Sequence, residues 1–247
     1  MSRFENKVVL VTGGSSGIGL ATAIAFANEG ANVVITGRDQ EALALAEKMI
    51  GSSARAVVSD AAKLDDIAAL VEDIAGHEGT VDSVFVNAGS ALPAPFGSVL
   101  EDNVDAMVDV HVKGPLFLLQ RLTTLMPTGS AVVINGSVSA TLGMPGMSAY
   151  AVGKAGLISL VRSLSAELLP QGIRLNAVSA GPVATPAVAR ADIPEAVKAA
   201  MLAQIPLGRP AAPEEIASVV LFLASPESSF IVGHNLIADG GMSALVA

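Results

Sequence analysis

Short β-branched and aliphatic runs alternate with longer helical patterns along the whole of this 247-residue chain. Lys7–Thr12, Asn32–Thr36, Ala54–Ser59, Asp82–Asn87, Ala131–Asn135, Ile173–Val178 and Asn235–Ala238 read as strands. Helices are expected near Gly17–Glu29, Asp39–Ile50 (capped by Asp39), Lys63–Ala75, Asp102–Leu125 as one long element, Ala149–Leu169, Pro194–Ala203 and Pro213–Leu223. Parallel strands need crossovers of this length, and the crossover helices cover both faces of the sheet. The alternation therefore predicts an α/β fold, a doubly wound parallel sheet of about seven strands in one domain over residues 1–247. Ligands of such sheets bind beyond the carboxyl ends of the strands.

Mean hydropathy is high, +0.59, as expected for strands buried on both faces. The apolar runs are short and broken by Gly, Pro and charge, below the roughly 18 residues of a membrane helix. No membrane partner is expected. The first residues lead straight into a strand without a signal-peptide core, and a cytoplasmic location is the expectation. There are no cysteines, so thiol catalysis, disulfides and thiolate metal sites are excluded. A net charge of −9 and 3% aromatic content argue against a nucleic-acid partner. No His/Asp/Glu cluster has metal-ligand spacing, and His77 and His234 read as structural or exposed.

Two motifs fall at expected strand ends. The first strand runs into Thr12-Gly13-Gly14-Ser15-Ser16-Gly17-Ile18-Gly19, a glycine turn that opens a helix. Such turns bring backbone close to a pyrophosphate, and the helix N-terminus offers free N–H groups and positive potential. The spacing is Gly-x-x-x-Gly-x-Gly rather than the commoner Gly-x-Gly-x-x-Gly. The second motif is Tyr150, the only tyrosine, four residues before Lys154. On a helix the two share a face, and a cation beside a phenol favours the phenolate.

With Asn87-Ala88-Gly89, Ser137 thirteen residues before Tyr150, Asn176–Pro182 and Asp239-Gly240-Gly241, these motifs make the chain resemble the short-chain dehydrogenase/reductase family over nearly its whole length. The resemblance implies a Rossmann-like fold and hydride transfer between a nicotinamide cofactor and a carbonyl or alcohol carbon. It implies that Tyr150 exchanges a proton with the substrate oxygen, that Lys154 lowers the Tyr150 pKa and holds the nicotinamide ribose, and that Ser137 bonds the same oxygen. Cofactor contacts are implied for Gly13, Ser15, Ser16, Gly17, Ile18 and Gly19 at the phosphates. Asp60, with Ala61 beside it, is implied at the adenine, Asn87, Ala88 and Gly89 at the adenosine-side ribose floor, and Val183 and Thr185 at the carboxamide and phosphates.

One position departs from the family. His111, in Asp109-Val110-His111-Val112-Lys113-Gly114, stands where the family commonly has an asparagine whose backbone carbonyl holds a relay water. Pro115 has no N–H to bond the carbonyl four residues back, which is that of His111. The relay is expected to persist through that carbonyl, and His111 is counted among the catalytic candidates.

The second strand ends in Gly37-Arg38, without the acid that NAD-preferring relatives place there. A guanidinium suits a 2′-phosphate, so NADP(H) is favoured, with NAD(H) left open. Val188, Ile193, Val197, Met201 and Leu202, in a lid near 186–206, together with Leu142, Met144 and Met147, suggest an apolar wall for a small hydrophobic ketone or secondary alcohol. Reduction of 3-oxoacyl groups on acyl carrier protein ranks second, because Met126–Ser130 carries no cation for an acidic partner. A catalytically silent dinucleotide-binding sensor or scaffold is the alternative of another class. The family resemblance implies a homotetramer.

Overall fold

The computed structural model describes residues 2–190 and 195–245. Its elements follow in the order β1 (Val8–Thr12), α1 (Gly17–Asn28), β2 (Asn32–Gly37), α2 (Gln40–Ile50), β3 (Ala54–Val58), α3 (Leu64–His77), β4 (Ser83–Val86), α4 (Glu101–Val108) and α5 (Gly114–Leu122). The chain continues through β5 (Ala131–Ser137), α6 (Ser148–Leu168), β6 (Arg174–Ala180), α7 (Pro186–Arg190), α8 (Glu195–Ala203), α9 (Pro213–Ala224) and β7 (Asn235–Ala238).

The seven strands form one parallel sheet ordered β3-β2-β1-β4-β5-β6-β7. The chain winds outward from β1 to β3, then returns to place β4 on the other side of β1. Val9 pairs with Val33 on one flank and Ser83 on the other. The crevice beyond the ends of β1 and β4 is therefore the switch point where such sheets bind ligands. This is the doubly wound architecture the alternation predicts.

The period-2 alternation of strand side chains divides the apolar residues between two cores. Leu10, Val34, Val84, Val132 and Ile134 face α3, α5 and α6, packing with Ile67, Leu70, Leu118 and Leu157. Val9, Val11, Val33, Ile35 and Val133 face α1, α2 and α9, packing with Phe26, Leu43, Ile216 and Val220. Burial on both faces accounts for the high hydropathy. On α6, Leu157, Val161 and Leu168 form a buried stripe, with Leu164 partly buried beside them. Asp39 caps α2, its Oδ1 accepting from Glu41 N at 2.9 Å and Ala42 N at 3.0 Å.

The long helix expected over Asp102–Leu125 is not continuous. One turn of π-helix over Asp109–Lys113 separates α4 from α5, with Gly114 N–H donating to Asp109 O. Pro115 supplies the physical reason: it cannot donate to His111 O, so the ladder shifts its register. Of the expected lid, residues 191–194, Ile193 among them, lie outside the described residues, as does the Pro194 start expected for α8.

Candidate active site

The turn after β1 is built on its glycines. Gly17 opens α1 at φ +55°, and a Cβ at Gly19 would overlap Gly13 O and lie 2.6 Å from Asn87 Nδ2. Only glycine at 19 lets the turn close. Ser16 makes no side-chain cap, and the first turn of α1 has no acid. Its N-terminal N–H groups and dipole thus point at the switch point without a competing anion.

Polar stitches hold this turn to β4. Thr12 Oγ1 accepts from Asn87 N at 2.9 Å and Ala88 N at 3.0 Å. Asn87 Nδ2 donates to Thr12 O at 3.0 Å and Gly13 O at 3.1 Å. Asn135 Nδ2 then donates to Asn87 Oδ1 at 2.8 Å, and Lys154 Nζ donates to Asn135 O at 2.7 Å. A continuous chain thus runs from the glycine turn to the lysine. Asn135 was not among the sequence candidates. The available signal was a lone amide closing the run Val132-Val133-Ile134 in a buried strand.

Ser137 ends β5 beside Tyr150, close enough to act against the rise of the phenol's pKa. Ser137 Oγ accepts from Ser139 Oγ at 2.8 Å and Ser139 N at 3.2 Å. With its lone pairs engaged, its own O–H is left to point toward the phenol and the cleft. Ser139, buried at the start of the following turn, is a positioning group that spacing to Tyr150 did not disclose.

Tyr150 and Lys154 share one face of α6, and Lys154 Nζ lies 5.7 Å from the ring centroid. Burial pushes the phenol above its ordinary range. The lowering expected from Lys154 is not found: burial dominates, and the opposing group is Ser137. The lysine itself is fully buried, its ammonium tied to a carbonyl rather than a carboxylate, and burial brings it down to about 7. Near neutrality it is a weakened cation.

His111 lies in the π turn with 1% of its surface exposed. Its ring meets Tyr150 edge-on, with centroids 5.4 Å apart, and Nε2 is 2.9 Å from Ser90 O. Burial, then the Lys154 charge, hold its pKa at about 4, so it is neutral at physiological pH. His77 and His234 are both exposed and lie apart from this cluster.

The other candidates surround the same crevice. Thr185 packs on Gly17, its Cγ2 3.2 Å from where a Cβ would stand. Val183 is buried and bridged to Ala211. Ala61 packs against Gly114, and Asp60 Oδ1 accepts from Ala62 N at 3.0 Å. Arg38 is exposed just past β2 and has no partner among the described residues, while Gly37 abuts Ser15. Leu142, Met144 and Met147 are half-buried, whereas Val188, Val197 and Leu202 are exposed. An uncapped helix N-terminus, a glycine cradle and an unpartnered guanidinium on one rim fit a dinucleotide phosphate chain.

Comparison with known proteins agrees with this fold. A family model described as enoyl-(acyl carrier protein) reductase matches residues 13–243. The chain belongs to the short-chain dehydrogenase/reductase family. Among characterised members it is 38% identical to cis-4-hydroxycyclohexanecarboxylate dehydrogenase of Sinomonas cyclohexanicum, over 98% of both chains. It is 36% identical to a 3-oxoacyl-[acyl-carrier-protein] reductase of Thermotoga maritima, over 97% of this chain and 99% of that one. A solved short chain dehydrogenase/reductase family protein, 39% identical, superposes with a TM-score of 0.87 over 98% of this chain and all of that one. No group of three or more potential metal ligands occurs among the described residues of this short-chain dehydrogenase/reductase, and none of their helices is long and apolar enough to cross a membrane.

The buried lysine of this family member gives a stability prediction. Unfolded, Lys154 titrates near 10.5; folded, at about 7. Between those values the unfolded chain binds more protons, so stability rises with pH across the window and the burial cost is greatest below it. Thermal melts should therefore show wild type gaining a few degrees on Lys154→Met between neutral pH and pH of about 9. A constant gap would show that the ammonium is not desolvated as the fold implies.

Proposed function

We propose that this short-chain dehydrogenase/reductase transfers a hydride between NADP(H) and a hydrophobic ketone or secondary alcohol, with Tyr150 as general acid/base. The observation that carries this reading is the convergence of Ser137, Tyr150 and Lys154 at the sheet's carboxyl edge, joined through Asn135 and Asn87 to the glycine turn. Gly13, Ser15, Ser16, Gly17, Ile18 and Gly19 would hold the pyrophosphate, and Asp60, Ala61, Asn87, Ala88 and Gly89 the adenosine half. Val183, Thr185, Tyr150 and Lys154 would hold the nicotinamide half, and Arg38 the 2′-phosphate. The bound cofactor supplies hydride in reduction and accepts it in oxidation.

The protein's own groups handle the proton. The Tyr150 phenol is protonated at neutral pH, and burial raises it further, the state needed to donate to a carbonyl oxygen in reduction. Ser137, held by Ser139, offers its proton to the same oxygen and shares the developing charge. In oxidation Tyr150 accepts the alcohol proton, and the Lys154 ammonium stabilises the phenolate that precedes it. Leu142, Met144 and Met147 supply adaptable apolar surface on one side of the cleft. The segment 186–206 would close over the substrate. A homotetramer belongs to the same reading and is supported by the fully exposed Phe230 and the exposed Ile237 of edge strand β7.

Loss of reduced-nicotinamide absorbance with a panel of ketones, run with NADPH and NADH, tests the assignment. Turnover of apolar ketones with NADPH is expected. Tight NADPH binding with no turnover across the panel would favour a silent sensor or scaffold. The Thermotoga maritima relative supports a second reading, reduction of 3-oxoacyl groups on acyl carrier protein. It predicts a much higher kcat/KM for the carrier-bound acyl group than for the same group on a small thioester. The cation-free loop Met126–Ser130 supports the small-molecule reading.

A further inference from the structure

The imidazole of His111 makes two contacts that lead to different parts of the site. Ser90 O can only accept, so the neutral ring carries its proton on Nε2 and donates there at 2.9 Å. Nδ1 is then an unprotonated acceptor, buried and without a partner. The ring fills a slot left by two glycines. A Cβ at Gly89 would overlap His111 Cε1, and one at Gly153 would lie 3.1 Å from His111 Cβ and 3.2 Å from Cδ2. Gly153 is one helical turn beyond Tyr150 on the same face of α6, so the space it leaves is what lets the imidazole reach the Tyr150 ring edge-on at 5.4 Å. Any larger residue at 89 or 153 would displace it.

Ser90 lies in the loop between β4 and α4. That loop is fastened a second time, by Ala94 N donating to Gly146 O at 2.9 Å, to the segment that leads into Tyr150. The loop is therefore held at Ser90 through His111 and at Ala94 through Gly146.

We propose that His111 is a positioning residue: its ring braces the Tyr150 phenol edge-on while its Nε2–H pins the β4–α4 loop through Ser90, so that the proton donor and one wall of the substrate cleft are set by one side chain. The inference rests on the reading of Tyr150 as the general acid/base. It changes the part assigned to His111, which acts through Tyr150 and Ser90 and does not itself exchange a proton. The edge-to-face contact resists a swing of the whole ring about the Cα–Cβ bond, the motion that would carry its hydroxyl away from Ser137.

Two variants separate the two contacts. His111→Phe keeps a ring against Tyr150 and loses the donor to Ser90. His111→Gln keeps an N–H at the reach of Nε2 and loses the ring. With the best ketone from the panel and saturating NADPH, His111→Phe should raise ketone KM about tenfold with little change in kcat, the size of one lost hydrogen bond. His111→Gln should lower kcat about tenfold with little change in KM, the size of one lost aromatic contact. Both should bind NADPH as wild type, measured by fluorescence, which also reports that the fold is intact. A merely structural histidine would lower stability and leave this KM-against-kcat split absent. Wild-type kinetics in both variants, or the same pattern of loss in both, overturns the proposal. If overpacking in the glycine slot unfolds His111→Phe, His111→Gln decides alone: an unchanged kcat overturns the brace. Tyr150→Phe run in parallel separates the two levels, since full turnover there would refute the Tyr150 reading whatever His111 does.

Discussion

Tyr150→Phe should lower kcat about a thousandfold and leave NADPH affinity nearly unchanged. The substitution removes one oxygen from a ring that is half-buried on α6 and packed edge-on against His111. Its packing contacts survive, because the edge-to-face geometry does not involve the hydroxyl. What is lost is the only phenol in the chain, a group beside Ser137 that is protonated at neutral pH and raised further above its ordinary value by burial. Neither neighbour replaces it. The Ser137 hydroxyl is far too weak an acid, and His111 stays neutral down to about 4 with its one proton committed to Ser90. Steady-state kinetics with the best ketone, beside a fluorescence titration with NADPH, measures both quantities. A loss of only a few fold would move the proton donor elsewhere, and a parallel collapse of NADPH binding would make Tyr150 a cofactor ligand first.

Arg38→Ala should weaken NADPH binding about fiftyfold while changing NADH binding by less than about threefold, the difference expected from losing charge-assisted hydrogen bonds to a phosphate. Arg38 follows the end of β2, where Gly37 abuts Ser15 of the glycine turn, and its guanidinium has no carboxylate partner among the described residues. The nearest acid, Asp39, spends its carboxylate on the first N–H groups of α2. An arginine already paired would have to give up that pairing to bind a phosphate; this one does not. Because the contact lies on an exposed rim, the preference should shrink as salt rises. Equal losses for the two cofactors would refute the assignment, and the NADH/NADPH ratio of kcat/KM in wild type gives an independent check.

The parts of this protein that were legible in its sequence are those whose causes are local. Strand–helix alternation, the Asp39 cap and the glycine turn each follow from neighbouring residues, and the sheet formed with the expected seven strands and two covered faces. The break at Asp109–Lys113 was half legible. Pro115 denies His111 O its usual donor, yet the pattern predicts a continuous helix across it, because helical periodicity persists through a π turn that adds one residue to a single ring. The Tyr150 pKa went the other way from the expectation for a neighbouring cation. Helical spacing reports that Lys154 shares a face with the phenol, and it says nothing of how far water is excluded from both.

Which residues of different elements touch was settled by the sheet order. Asn135 joins Lys154 to the glycine turn only because β5 lies beside β4 and β4 beside β1. Ser139 bears on Ser137 only because the chain turns sharply after β5. His111 meets Tyr150 and Ser90 because Gly89 and Gly153, sixty-four residues apart in the sequence, leave the same space empty. The sequence by itself determined the chemistry on offer: a turn that can hold phosphate, one phenol, one lysine a helical turn away, and no thiol. The tertiary structure decided how that chemistry is tuned and supported, because burial and contact between distant strands are properties of packing that no local run of residues contains.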